Sequence, residues 1–116
     1  MALNKTEIGK AGERTAAEYL RGIGFSILEK NYRFGHKEID LVCLDGDYIV
    51  FVEVKARSGL EHGLPAEYVN ARKRSFLRMA ASMYLKQKGT PDAFCRFDIV
   101  EVYLKDGTVH HIPNAF

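Results

Sequence analysis

Apolar residues recur along this chain with two different periods, and the switches between them mark out its elements. Over residues 4–21 a helical spacing places Ile8, Gly12, Thr15, Tyr19 and Ile23 on one face. Asn4 can cap this helix with Glu7 as its capping-box partner, and Gly22 and Gly24 supply a stop. Residues 25–33 read as a strand that ends in the turn-like Phe34-Gly35-His36. Residues 38–44 and 48–55 are apolar on both faces, as strands of a sheet covered on two sides should be. Asp45-Gly46-Asp47 between them is a hairpin signal. A loop over 56–64 leads to a second helix at 66–88, whose buried stripe is Phe76, Leu77, Ala80, Ala81, Tyr84 and Leu85. Gly89 and Pro91 end it, and strands at 93–104 and 108–112 follow around an Asp106-Gly107 turn. The order αβββαββ predicts one α/β domain over residues 1–116, with helices packed on a mixed central sheet.

Charges at the ends of apolar strands need a cause, because burying an uncompensated charge is costly. Asp40 in EIDLV, and Glu53 and Lys55 in FVEVKAR, are three such charges. A two-residue Gly46-Asp47 turn pairs Asp45 with Tyr48 and carries Asp40 directly opposite Glu53, roughly 5 Å apart at Cβ. Lys55, two residues along, shares that face. A turn at Asp45-Gly46 pairs Asp40 with Phe51 instead and leaves Glu53 a diagonal neighbour on the same face. Carboxylates that converge so closely repel unless a cation lies between them, and hard oxygen donors suit Mg²⁺ or Mn²⁺. A lysine beside such a metal can polarise a water or steady developing phosphorane charge. The ordinary alternative is a cross-strand ion network, since the same register sets Glu38 against Lys55.

Glu13 has Gly9, Ala16, Ala17 and Leu20 as helical neighbours, so it lies on a face that can approach the sheet closely. It is either a further metal contact or a surface glutamate. Lys73 extends the apolar stripe of the second helix by one turn, and it either snorkels outward or points into a cleft. Arg57 is a reasonable phosphate contact. Asp98 is either a buried structural acid or a cleft residue. His36, His62, His110 and His111 show no metal-ligand spacing.

Composition adds less than charge distribution does. An apolar fraction of 47% and a charged fraction of 28% fit a globular domain. No run of about 18 apolar residues exists, and MALNKTEIGK lacks the apolar core of a secretion signal. Cys43 and Cys95 read as reduced core residues of a cytoplasmic protein. The net charge of +2 is divided unevenly. Residues 70–88 contain Arg72, Lys73, Arg74, Arg78, Lys86 and Lys88 and no acid, which makes a phosphate-facing helix plausible beside a merely solvated one.

Taken in order, G-x-x-G-E at Gly9 to Glu13, EIDLV at 38–42, FVEVKAR at 51–57, Lys73 and RFDIV at 96–100 resemble the YraN-like family of small bacterial proteins, uncharacterised or predicted endonucleases. That family is similar to the restriction-endonuclease-like superfamily with its PD-(D/E)xK signature, and to archaeal Holliday-junction resolvases. Ile39 stands where the signature has proline. The resemblance implies a restriction-endonuclease-like αβββαβ core, with Asp40, Glu53 and Lys55 as the signature's acid, acid and lysine, and Glu13 as the helix-borne glutamate of the resolvases. The expected activity is Mg²⁺- or Mn²⁺-dependent cleavage of DNA, favoured over RNA and directed by structure more than by sequence. Asp40, Glu53, Glu13 and the Val54 carbonyl would hold metal, Lys55 would assist the water, and Lys73, Arg57 and Arg72 would contact phosphate. No membrane is expected as a partner, and junction cleavage would call for a homodimer. The alternatives are a non-cleaving nucleic-acid-binding module of the same fold, and a scaffold whose basic helix meets an acidic partner.

Overall fold

The protein is described by a computed structural model over residues 3–58 and 69–116. Its first helix, α1 (Lys5–Gly22), begins as the sequence predicts. Asn4 Oδ1 accepts from Glu7 N at 2.8 Å and the Glu7 carboxylate accepts from Asn4 N at 3.1 Å. It ends in a Schellman turn: Phe25 N donates to Leu20 O, Gly24 N donates to Arg21 O, and Gly24 takes φ 102°. Gly24 therefore makes the stop, while Gly22 is still helical.

Three strands follow, β1 (Ser26–Phe34), β2 (Lys37–Asp45) and β3 (Tyr48–Arg57). The β2–β3 turn is Gly46-Asp47 with Asp45 opposite Tyr48, the first of the two registers considered above. Gly46 has φ 57°, which this turn requires of its first residue. The second helix, α2 (Ala71–Gln87), starts later than residue 66. Asn70 caps it by accepting from Lys73 N at 2.9 Å, and residues 66–68 lie outside the described part of the chain. A second Schellman turn closes it, with Gly89 at φ 73°. Strands β4 (Cys95–Tyr103) and β5 (Thr108–Ile112) complete the chain.

The sheet order is β1-β2-β3-β4-β5, antiparallel except for the parallel β3–β4 pair. Parallel neighbours need a crossover, and α2 lies in the connection between these two. Each sheet face is covered by one helix. Leu41, Cys43, Val50, Val52, Val100 and Val102 pack against Ala16, Ala17 and Leu20 of α1. Val42, Phe51 and Ile99 pack against Leu77, Ala80, Ala81, Tyr84 and Leu85 of α2. The α2 stripe is as the sequence predicts, apart from Phe76, which the cleft described below exposes. The α1 stripe is rotated toward its small residues, and Ile23 is exposed. The cause is close approach: a Cβ on Gly12 would overlap that of Ala56 on β3. Only alanine- and glycine-sized residues let helix and strand meet at that distance. No helix among the described residues is long and apolar enough to cross a membrane.

Candidate functional site

The β2–β3 ladder runs from the hairpin to Leu41 opposite Val52 and stops there. Asp40 and Glu53 are the next residues in register. Instead of continuing the ladder, Asp40 extends its side chain across the gap, and Val54 N donates to its Oδ2 at 2.7 Å. On the other side of β2, Lys30 pairs with Leu41 and Tyr32 with Ile39, which leaves Asn31 facing Asp40. Asn31 has φ 53°, the left-handed region that a strand residue rarely enters. The two strands change phase at this point. Leu41 packs on the α1 side, whereas Ile39 and Tyr32 both pack on the α2 side. Along a regular strand residues two apart share a face, so Asp40 and Asn31 act as a matched pair of extra residues that preserves register but inverts the facing. The result turns Asp40 edgewise, within reach of groups from both faces.

From the α1 side, one oxygen each of Glu13, Glu38 and Asp40 lies within 4.8 Å of the others. Glu13 is fixed there by Asn31, whose Nδ2 donates to its Oε1 at 3.0 Å. From the α2 side come Glu53, which is only 7% exposed, and Lys73, whose Nζ lies 3.0 Å from Glu53 Oε2. Lys55 sits beside Lys73 and Glu53 on the same face.

The electrostatics follow from this crowding. Burial raises the Asp40 carboxyl well above the usual carboxylate range, and the charge of Glu53 raises it further against the opposing Val54 hydrogen bond. Burial lowers Lys55, with the adjacent Lys73 ammonium working in the same direction and Glu53 partly compensating. For Lys73 burial also pulls downward, but the charge of Glu53 and its hydrogen bond leave the ammonium raised overall. Three carboxylates therefore converge on Asp40, against the two ammonium groups of Lys73, bound to Glu53, and the neighbouring Lys55.

A cleft of roughly 630 Å³ opens on the α2 side, lined by His36, Lys37, Glu38, Asp40, Glu53, Asn70, Arg72, Lys73 and Phe76. A smaller groove of roughly 250 Å³ on the α1 side is lined by Lys5, Thr6, Gly9, Lys10, Glu13, Asn31 and Glu38. Glu38 borders both, so the carboxylates stand where the two grooves meet at the open end of the β2–β3 pair.

The expected residues are thus largely brought together. Asp40, Glu53, Lys55, Glu13 and Lys73 converge, and Arg72 lines the cleft. Lys73 points inward to Glu53 and does not snorkel away. Arg57 goes elsewhere: its Nε donates to Oε2 of the buried Glu101 at 3.0 Å, and it is not among the described residues lining the cleft. Glu101 lies on β4 beside Lys55, and its other oxygen accepts from Tyr103 Oη at 2.7 Å, so Arg57 neutralises an interior carboxylate. The Glu38–Lys55 ion pair does not form among the described residues, because Glu38 lies beyond the phase change and turns toward Glu13. Asp98 is structural. It is fully buried and accepts from Arg96 Nε at 3.0 Å and Asn114 N at 2.9 Å, with His111 Nε2 at 2.8 Å. His62 lies outside the described residues. The sequence reading missed Asn31, Glu38, His36 and Lys37 as site-lining groups. Asn31 carried no sequence signal, because only the β1–β2 register sets it opposite Asp40.

Residues 12–102, which include Glu13 and every strand and helix residue of the cleft, match the family described as Uncharacterised protein family UPF0102. The chain belongs to this family. A UPF0102 protein of Pelotomaculum thermopropionicum is 45% identical over 120 aligned residues, covering 100% of both chains. One from Clostridioides difficile is 43% identical across 98% of this chain and 100% of its own. One from Symbiobacterium thermophilum is 48% identical across 82% and 80%. The UPF0102 relatives are thus similar in length as well as in sequence. The YraN-like resemblance read from the motifs corresponds to this UPF0102 membership.

Proposed function

We propose that this UPF0102 protein is a metal-dependent endonuclease that hydrolyses phosphodiester bonds in DNA, directed by branched or damaged structure. The observation that carries the reading is Asp40: a partly buried carboxylate turned edgewise by a change of strand phase, with Glu13 and Glu38 on one side and Glu53 on the other. Clustered carboxylates raise one another's proton affinity unless a cation compensates them. The donor set is all hard oxygen, which suits Mg²⁺ or Mn²⁺.

In this reading Asp40, Glu53 and Glu13 hold the ion, with the Val54 carbonyl as a further donor on the peptide segment whose N–H already fixes Asp40. When bound, the ion supplies a Lewis acid for phosphoryl oxygens and the charge that the carboxylates lack. Lys55, on the same strand two residues from Glu53, orients the attacking water and offers its Nζ to the developing negative charge. Lys73 holds Glu53 in place and, with Arg72, presents positive charge to the phosphate backbone along the cleft. Such contacts carry little sequence information, which fits structure-directed binding. Symmetric cutting of a junction would require two copies of this single site.

A cleavage panel tests this: linear, flapped, branched and single-stranded DNA and RNA with Mg²⁺ or Mn²⁺. Cleavage of branched DNA that Asp40→Asn abolishes is the expected result; equal cutting by wild type and Asp40→Asn would remove the reading. The Lys73–Glu53 ion pair favours one other reading, a non-cleaving nucleic-acid-binding module in which lysine takes the place of metal. Calorimetry with Mn²⁺ separates the two, because only the nuclease binds the ion at millimolar concentration.

A further inference from the structure

We infer that Asn31 is a positioning residue for this site, acting through Glu13; the inference rests on the metal-binding reading just given. The evidence begins with the backbone. Pairing of β1 with β2 continues on both sides of Asn31, Lys30 with Leu41 and Tyr32 with Ile39, so the register is kept while the facing inverts. Asn31 alone among the residues of the five strands is a non-glycine with φ in the left-handed region. Glycine would hold that conformation without strain, and asparagine is one of the few other residues that tolerates it. What asparagine adds over glycine is its amide, and here that amide has a definite destination. Its Nδ2 donates to Glu13 Oε1 at 3.0 Å.

The bond matters because Glu13 stands on a helix, and Asp40 and Glu38 stand on a strand. Without a tether the Glu13 side chain would turn away from the two other carboxylates, which repel it. The Asn31 N–H holds the Glu13 carboxylate at Oε1 while one oxygen of that carboxylate lies within 4.8 Å of oxygens of Glu38 and Asp40. Partners of this kind orient metal-binding groups, and losing them weakens metal affinity by about tenfold or more. Left-handed backbone strain at a strand interior, opposite Asp40, is the sort of local cost that functional sites retain.

The experiment is Mn²⁺ titration by calorimetry on the full chain, with thermal melts of each metal-free variant. Asn31→Gly keeps the backbone conformation and deletes the amide; Asn31→Ser is a second deletion should the glycine variant melt early. Affinity for Mn²⁺ is expected to fall about tenfold in Asn31→Gly. In a Glu13→Gln background the same change should cost less than about twofold, because Asn31 acts through Glu13. In cleavage assays the metal concentration for half-maximal rate should rise while the rate at saturating metal is retained. Unchanged affinity in Asn31→Gly, or full additivity with Glu13→Gln, overturns the role of Asn31. Asp40→Asn keeps that failure distinct: if it loses Mn²⁺ while Asn31→Gly does not, the metal site stands and only the positioning role falls. A wild-type chain that binds no millimolar Mn²⁺ overturns both.

Discussion

Lys73 on α2 reaches Glu53 on β3 with Nζ 3.0 Å from Oε2, although Glu53 is almost fully buried. The lysine sets a compensating charge against a carboxylate held beside Asp40. Replacing it by Met leaves buried Glu53 with only the Asp40 hydrogen bond and the neighbouring Lys55 charge to compensate it. The metal-free protein should then lose about 1–2 kcal/mol, below the figure for a wholly buried pair because Lys73 is partly exposed. Millimolar Mn²⁺ should recover part of the loss in a thermal melt. A Lys73→Met variant whose melting temperature matches wild type without metal would show that the ion pair contributes nothing.

Asp40 gives the clearest dependence on pH. Its carboxyl is raised above the usual range by burial and by Glu53, so the folded chain keeps this proton to higher pH than the unfolded chain does. The contribution to stability is fully present below the unfolded carboxylate value, near pH 4, and is lost as pH rises through the folded value. Asp40→Asn keeps an oxygen acceptor for Val54 N and removes the charge. It should therefore stabilise the metal-free protein by roughly 0.5–2 kcal/mol at pH 8 and by almost nothing near pH 4, while abolishing Mn²⁺ binding. Melting temperatures across pH for the two chains check both the sign and the window. A variant less stable than wild type at pH 8 would contradict the assignment of the charge as a burden.

Much of this arrangement was legible in the sequence because it depends on local chemistry. Asn4 and Glu7 cap α1 as their spacing demands, and Asp45-Gly46-Asp47 fixes the register that sets Asp40 level with Glu53. Less legible was how those two residues meet. Period-two alternation puts Asp40 and Glu53 side by side on one face, whereas the strand pair inverts its facing at Asn31 and Asp40 and points Asp40 into the ladder. One residue's φ decides that, and no hydrophobic pattern records it. The same inversion moves Glu38 away from Lys55 and toward Glu13. The placement of Arg57 against Glu101 was illegible for a related reason. Its partner Glu101 lies 44 positions away on a parallel strand, and a sequence offers no local cue to a pairing that a crossover creates.

Lys55 is half-buried, and no carboxylate is bonded to it as Glu53 is to Lys73 among the described residues. In the proposed reading its ammonium serves the substrate. Lys55→Ala should reduce the cleavage rate about 10²–10⁴-fold, the usual cost of removing a group that assists proton transfer or developing charge. Its affinity for Mn²⁺ should stay within a few-fold of wild type, since the oxygens that hold the ion remain. Parallel loss of Mn²⁺ binding and cleavage would instead make Lys55 a structural support.

Gly12 sets the distance between α1 and β3, and with it the reach of the neighbouring Glu13. Any Cβ at this position meets that of Ala56, and the nearby atoms are backbone and a short valine branch that cannot swing aside. The helix must lift from the sheet to admit a side chain. Gly12→Ala gains a better helix former, worth about 1 kcal/mol in an open helix, but here overpacking should outweigh it. Gly12→Val, with more to accommodate, should lose about 2–3 kcal/mol. The displaced helix also carries Glu13 away from Asp40 and Glu38, so Mn²⁺ affinity should fall even at temperatures where the variant is fully folded. Ala56→Gly offers a direct check by removing the opposing Cβ. Combined with Gly12→Ala it should restore part of both the melting temperature and the Mn²⁺ affinity, and an absence of any recovery would place the cost of the Gly12 substitution outside this contact.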